Sequence, residues 1–148
     1  MTNHNHSLKV AGYTLIETLI ALFILTTTLL GFAALTTQSL QTTRTAQHHD
    51  LATLQATAMA ERIRANPVAI QQNHYLNTST LPTGPDCTSQ TCSPAEMAHF
   101  DLREWNLRNA TLLPGGEGGI NSSSGHYAIT LQWQEGSATQ QYQLMISP

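Results

Sequence analysis

Glu17 is the residue whose type and position most need a chemical account. From Tyr13 to Leu35 the chain reads YTLIETLIALFILTTTLLGFAAL, and Glu17 is its single charged side chain; the next charge is Arg44. A carboxylate inside hydrocarbon costs at least ~2.5 kcal/mol and is normally kept only where it has a partner. Lys9 is the nearest cation, but Gly12 lies between them. A cut after Gly12 would give Tyr13 a free amine four residues from Glu17, and a neighbouring copy would bring such an amine closer still. The chemistry this points to is ion pairing between subunits.

Other residues of reactive type have simpler readings. Cys87 and Cys92 are the only cysteines, both in CTSQTC. In a chain facing an oxidising compartment they close a small disulfide ring. A zinc site would need two further ligands, and only residue type recommends His74 and His99. His4 and His6 form a pair ahead of Gly12 that needs no role. Asp101, Glu104 and Arg108 invite an acid–base reading, but i,i+4 surface pairing accounts for Glu104 and Arg108. The stretch from Leu113 to Gly119, LPGGEGG, lacks the Lys-Ser/Thr and the preceding strand of a phosphate loop, and reads as a sharp turn into a sheet.

The elements that hold these residues follow in chain order. As a helix, residues 13–35 span about 35 Å, enough to cross the hydrocarbon core of a bilayer. From Thr36 to Asn66 there is no Pro or Gly, and good helix formers dominate. Leu40, Leu51, Leu54 and Ala58 share one apolar stripe; Ala52, Ala56, Met59 and Ile63 share a second; Asp50, Thr53, Thr57, Glu61 and Arg64 lie opposite. Two stripes fit either a helix buried widely in its own domain or one divided between its domain and neighbouring subunits. Asn66-Pro67 stops the helix, which would measure roughly 80 Å.

Residues 71–94 offer nothing longer than a turn. Pro94 to Arg108 reads as a helix, with Ser93 and Glu96 as a capping box. Met97, Phe100 and Leu107 face the core in this reading, with Trp105 a further candidate. Tyr127, Ile129, Leu131 and Trp133 alternate with polar or small residues, Tyr142, Leu144 and Ile146 repeat the pattern, and the two runs make an antiparallel hairpin that the long helix covers.

A short polar leader ending in Gly12, then Tyr13-Thr14-Leu15-Ile16-Glu17 and an apolar run, resembles the class III signal of type IV pilins and pseudopilins. The resemblance implies cleavage by prepilin peptidase between Gly12 and Tyr13, methylation of the new amine on Tyr13, and Glu17 as the carboxylate that meets a neighbouring subunit's N-terminus. Tyr13 stands where that family usually has Phe. MAERIRANP, DLREW, LPGGEG and YAITLQW resemble the minor pilins called PilV, the type IV pilus modification proteins. The implied fold is α+β and type IV pilin-like: a long N-terminal α-helix over about 13–66 packed on a small antiparallel β-sheet. The implied organisation is a leader over 1–12, a transmembrane and assembly half over 13–35, and a periplasmic domain over 36–148.

The implied role is a non-enzymatic subunit that primes or modulates pilus assembly, with no cofactor. Its partners would be other minor and major pilins, prepilin peptidase, the inner-membrane assembly platform and membrane lipid. A minor pseudopilin of type II secretion is the alternative. Charge agrees with this choice. With six basic and nine acidic residues, the chain lacks the Lys/Arg cluster that nucleic-acid binding needs. Residues 1–12 are not an ordinary secretory signal, because the apolar run follows the proposed cut. Lys9 keeps the leader cytoplasmic by the positive-inside tendency. Arg62 and Arg64 suit a helix C-terminus or a contact with acidic partners. No nucleophile–base or metal spacing supports a periplasmic enzyme.

Overall fold

The computed structural model describes residues 13–76, 82–123 and 125–147. The expected leader, with Gly12, lies outside them. In order the elements are α1 (Tyr13–Ala65), α2 (Pro67–Gln71), α3 (Pro94–Leu112), β1 (Glu117–Ser123), β2 (His126–Glu135) and β3 (Ala138–Ile146). The chain divides into two compact units, Met1–Thr43 and Arg44–Pro148, with the boundary inside α1.

In the first unit, the described residues are helix throughout and expose their side chains from Thr14 onward. Its threonines return their hydroxyls to the helix backbone: Thr18 donates to the Leu15 carbonyl, Thr26 and Thr27 to Phe23, Thr28 to Leu25, and Thr36 and Thr37 to Ala33. A helix that satisfies its own polar groups suits an apolar solvent. Gly31 does not interrupt it.

The second unit is built around the face of α1 made by Ala52, Ala56, Met59, Ala60 and Ile63, all buried. Their core partners include Leu102 and Trp105 of α3 and Ile120, Ile129, Leu131, Trp133 and Ile146 of the sheet. Three alanines on α1 allow a close approach, and Trp133 reaches complete burial. Asn66 ends α1 and starts α2: its side-chain oxygen accepts from the Ala69 N–H at 3.3 Å, while its Nδ2 donates to the Pro94 carbonyl at 2.8 Å. Pro67 follows at the first helical position, where a missing N–H is harmless.

The Ser93 and Glu96 capping box is formed at the start of α3. The helix then runs to Leu112, beyond the expected end at Arg108, because no Pro or Gly intervenes before Pro114. Its buried face is Ala98, Asp101, Leu102, Trp105, Asn106 and Asn109. Leu107 is exposed and Met97 and Phe100 are half-buried, so the expected core face is corrected. Trp105 decides the rotation. Its indole is buried, and Nε1 donates to the Gln55 carbonyl in α1 at 3.0 Å, which satisfies the one polar group it carries inward.

The sheet is a three-stranded antiparallel meander, β1-β2-β3. Gly118 faces Leu131 and Ile120 faces Ile129; across the other seam Ile129 faces Leu144 and Leu131 faces Tyr142. Gly136, at φ +62°, supplies the left-handed residue of the two-residue β2–β3 turn. In LPGGEGG, Gly115 turns the chain at φ +60°, but Gly118 has a different duty. A Cβ there would enter the Trp105 ring. Gly118→Ala should therefore lower stability by roughly 1–3 kcal/mol through overpacking, measured by thermal unfolding of the full chain in detergent.

Candidate functional site

Tyr13 opens α1 and Glu17 follows one helical turn later, its side chain exposed. Among the described residues no basic group pairs with Glu17. The apolar side chains beyond it are equally uncovered: Leu15 is 71% exposed, Phe23 69% and Leu30 72%. This part of α1 is long and apolar enough to cross a membrane, with a mean hydropathy of 2.2. That is consistent with membrane anchoring.

In the second unit α1 has two unlike faces. Ala52, Gln55, Ala56, Met59 and Ile63 are buried, Leu51 is half-buried, and Leu54 is 61% exposed, with Ala58 exposed beside it. Of the two arrangements that fit the stripes, wide burial is therefore excluded. One stripe carries the domain; of the other, Leu51 packs partly against the core while Leu54 and Ala58 are left open.

Two polar clusters fix this helix to its domain. Near its C-terminal end, Arg62 Nη1 lies 3.2 Å from Asp101 Oδ1, and the Tyr75 hydroxyl donates to Asp101 Oδ2 at 2.9 Å. Burial pushes the Asp101 carboxyl up, against the Tyr75 hydrogen bond and the Arg62 charge. Burial and then the neighbouring carboxylate push the Tyr75 phenol up as well. Arg62 is thus occupied inside the domain, whereas Arg64 pairs with Glu61 on the surface. The cleft beside this cluster, about 430 Å³, is lined in part by Asn66, Cys92, Pro94 and Met97. Glu104 and Arg108 make no ion pair among the described residues.

The second cluster, around Glu135, was not singled out by sequence. Glu135 accepts from Thr45 at 3.0 Å and Trp133 Nε1 at 3.2 Å, and meets His48 Nδ1 at 3.1 Å. The edge of His49 meets Trp133 with ring centroids 4.9 Å apart. These contacts tie the β2–β3 turn to α1. Partial burial raises the Glu135 pKa, but the hydrogen bonds from Trp133, His48 and Thr45 prevail and hold it below the ordinary glutamate range.

Cys87 and Cys92 are joined as a disulfide, with Cα atoms 5.6 Å apart. Arg103 braces the preceding loop, donating to the carbonyls of Gly84 and Pro85 at 3.3 and 3.1 Å. The rings of His74 and His99 stand edge to face at 6.2 Å. Among the described residues no three potential metal ligands converge.

A long helix whose N-terminal half is apolar and whose C-terminal half packs on a small three-stranded antiparallel sheet is the α+β arrangement of the type IV pilin fold. Residues 34–103 match the family model described as Tt1218-like, Type IV pilin Tt1218. The match supports the type IV pilin superfamily, whose members are structural subunits that associate with other pilins. It begins at the end of the apolar run, so it is independent of the stretch from Gly12 to Glu17. No curated protein and no solved structure matches the chain.

The two clusters predict opposite pH dependences. Glu135, with its folded pKa lowered, contributes stability above its unfolded value that is lost as pH falls through the carboxylate range, about pH 4 and below. Asp101, with its pKa raised, takes up a proton in the folded state first, so its contribution declines as pH rises from about 4. In melting temperature against pH, Glu135→Gln should flatten the acid-side loss, while Asp101→Asn should deepen it.

Proposed function

We propose that this chain is a minor type IV pilin of the PilV kind, a non-enzymatic subunit that helps prime or modulate pilus assembly. Synthesised with the leader 1–12, it is cut by prepilin peptidase between Gly12 and Tyr13 and methylated on Tyr13. It rests in the inner membrane with its C-terminal domain in the periplasm, held by the apolar half of α1. On assembly, Glu17 pairs with the N-terminal amine of a neighbouring pilin. Its other partners are the assembly platform and the minor and major pilins beside it.

The observation that carries this reading is the state of α1. Its apolar half is uncovered from Thr14 onward and bears one carboxylate, near the start, while the small domain covers only one face of the rest. Lipid can cover the apolar side chains, but it offers no counter-charge to Glu17. A neighbouring subunit offers both.

Mass analysis of the membrane-extracted protein should find Tyr13 as a methylated N-terminus. An intact 1–12 segment in cells with active peptidase would contradict the assignment. Glu17→Ala should leave membrane insertion intact and reduce recovery with sheared pili at least about tenfold, as expected for loss of an ion pair in a low-dielectric setting. Unchanged recovery would remove the pairing role.

A further inference from the structure

We propose that the outward face of α3 docks against the outward face of α1 in a second copy of this chain. The domain leaves the α3 face uncovered: Leu107 is 55% exposed, and beside it lie Thr111 and Leu112, with Glu104 and Arg108 between them. Glu104 and Arg108 stand one turn apart, where an acid and a base on one helix ordinarily pair. Neither makes an ion pair among the described residues, although Glu104 is half-buried. Both charges are left for a partner outside the domain.

Direction and charge choose the occupant. Within one copy α3 runs antiparallel to α1: Pro94 lies against Asn66, Asp101 against Arg62 and Trp105 against Gln55. Resting here on the proposed pilin role, neighbouring subunits carry their α1 helices in one direction, so α3 of one copy meets α1 of the next antiparallel. The outward face of α1 bears Leu54, Ala58, Glu61 and Ala65 in one stripe, with Arg64 on its flank, and all five are exposed. In the antiparallel direction Glu104 falls beside Arg64 and Arg108 beside Glu61. Thr111 then comes over Ala58, and Leu107 settles between Ala58 and Ala65.

The same charges fix the register. A slip of one turn would bring Glu61 to Glu104 in one direction and Arg64 to Arg108 in the other, and a parallel approach would oppose both like pairs at once. Arg108 lies level with about residue 54 of its own α1, so meeting Glu61 of the neighbour offsets the two copies by about two turns, or ~11 Å along the helix. That offset belongs to assembled subunits and not to copies lying level in a bilayer. The contact is heterologous: each docked pair leaves one α1 face and one α3 face free, so it repeats along a file of copies.

The test uses the full chain in cells that are assembling pili, with two differently tagged copies, one Ala58→Cys and the other Thr111→Cys. Both positions are exposed, so the substitutions leave the core intact. Mild oxidation should join the two tags, whereas two copies of Ala58→Cys, or two of Thr111→Cys, should not be joined. Arg108→Glu in both copies should lower the yield about fivefold, and adding Glu61→Arg should restore it, a rescue that a local effect on α3 would not give. Recovery of the tagged chain with sheared pili, scored in the same samples, reports separately on the pilin role. Absence of the mixed cross-link, a cross-link to a different protein only, or a yield unchanged by Arg108→Glu would overturn the docking, even where the chain is recovered with pili.

Discussion

One side chain sets the arrangement of the second unit. Trp105 is buried, gives its only N–H to the Gln55 carbonyl of α1, and lies where a side chain on Gly118 would otherwise stand. Through that indole α1, α3 and β1 are fixed to one another. Asn106, the next residue, accepts the Gly118 N–H. A buried Trp left without its acceptor would carry an unpaired donor, at a cost of ~1–3 kcal/mol. The contact with α1 is therefore specific in position as well as favourable in area.

Polar groups then lock α1 near both ends of its buried stretch. Glu135 gathers Thr45, His48 and Trp133, and Asp101 gathers Arg62 and Tyr75. Carboxylates, a phenol and an imidazole look like reactive chemistry in the sequence, but their partners here are consistent with fastening. With its inner face held at two places, α1 keeps Leu54 and Ala58 exposed on the other side. The domain thus carries a helix that it does not enclose.

Much of this was legible in the sequence wherever periodicity or a local cap governs the structure. The long helix ends at Asn66-Pro67 because backbone sterics decide it. Ser93 and Glu96 form their box because both partners are local, and the β2–β3 hairpin follows its alternation. β1 was not legible as a strand, since EGGINSS has one large apolar residue and its Gly118 serves the packing of Trp105. The rotation of α3 was missed because Asp101, Asn106 and Asn109 are polar yet buried. Two of them find partners only in the folded domain, whereas exposed Leu107 misleads a count of apolar positions. Glu135 belongs to the same class, its contacts being made by residues about ninety positions away.

The stretch around Glu17 differs, because nothing within the described chain answers its charge or covers its apolar neighbours. Placing a photoreactive residue at Leu54, on the exposed stripe, in cells that are assembling pili, tests the central claim most directly. A subunit that shares its helix with neighbours should give adducts with other pilins from that position. Adducts confined to this chain's own domain, with none to any pilin, would contradict the account.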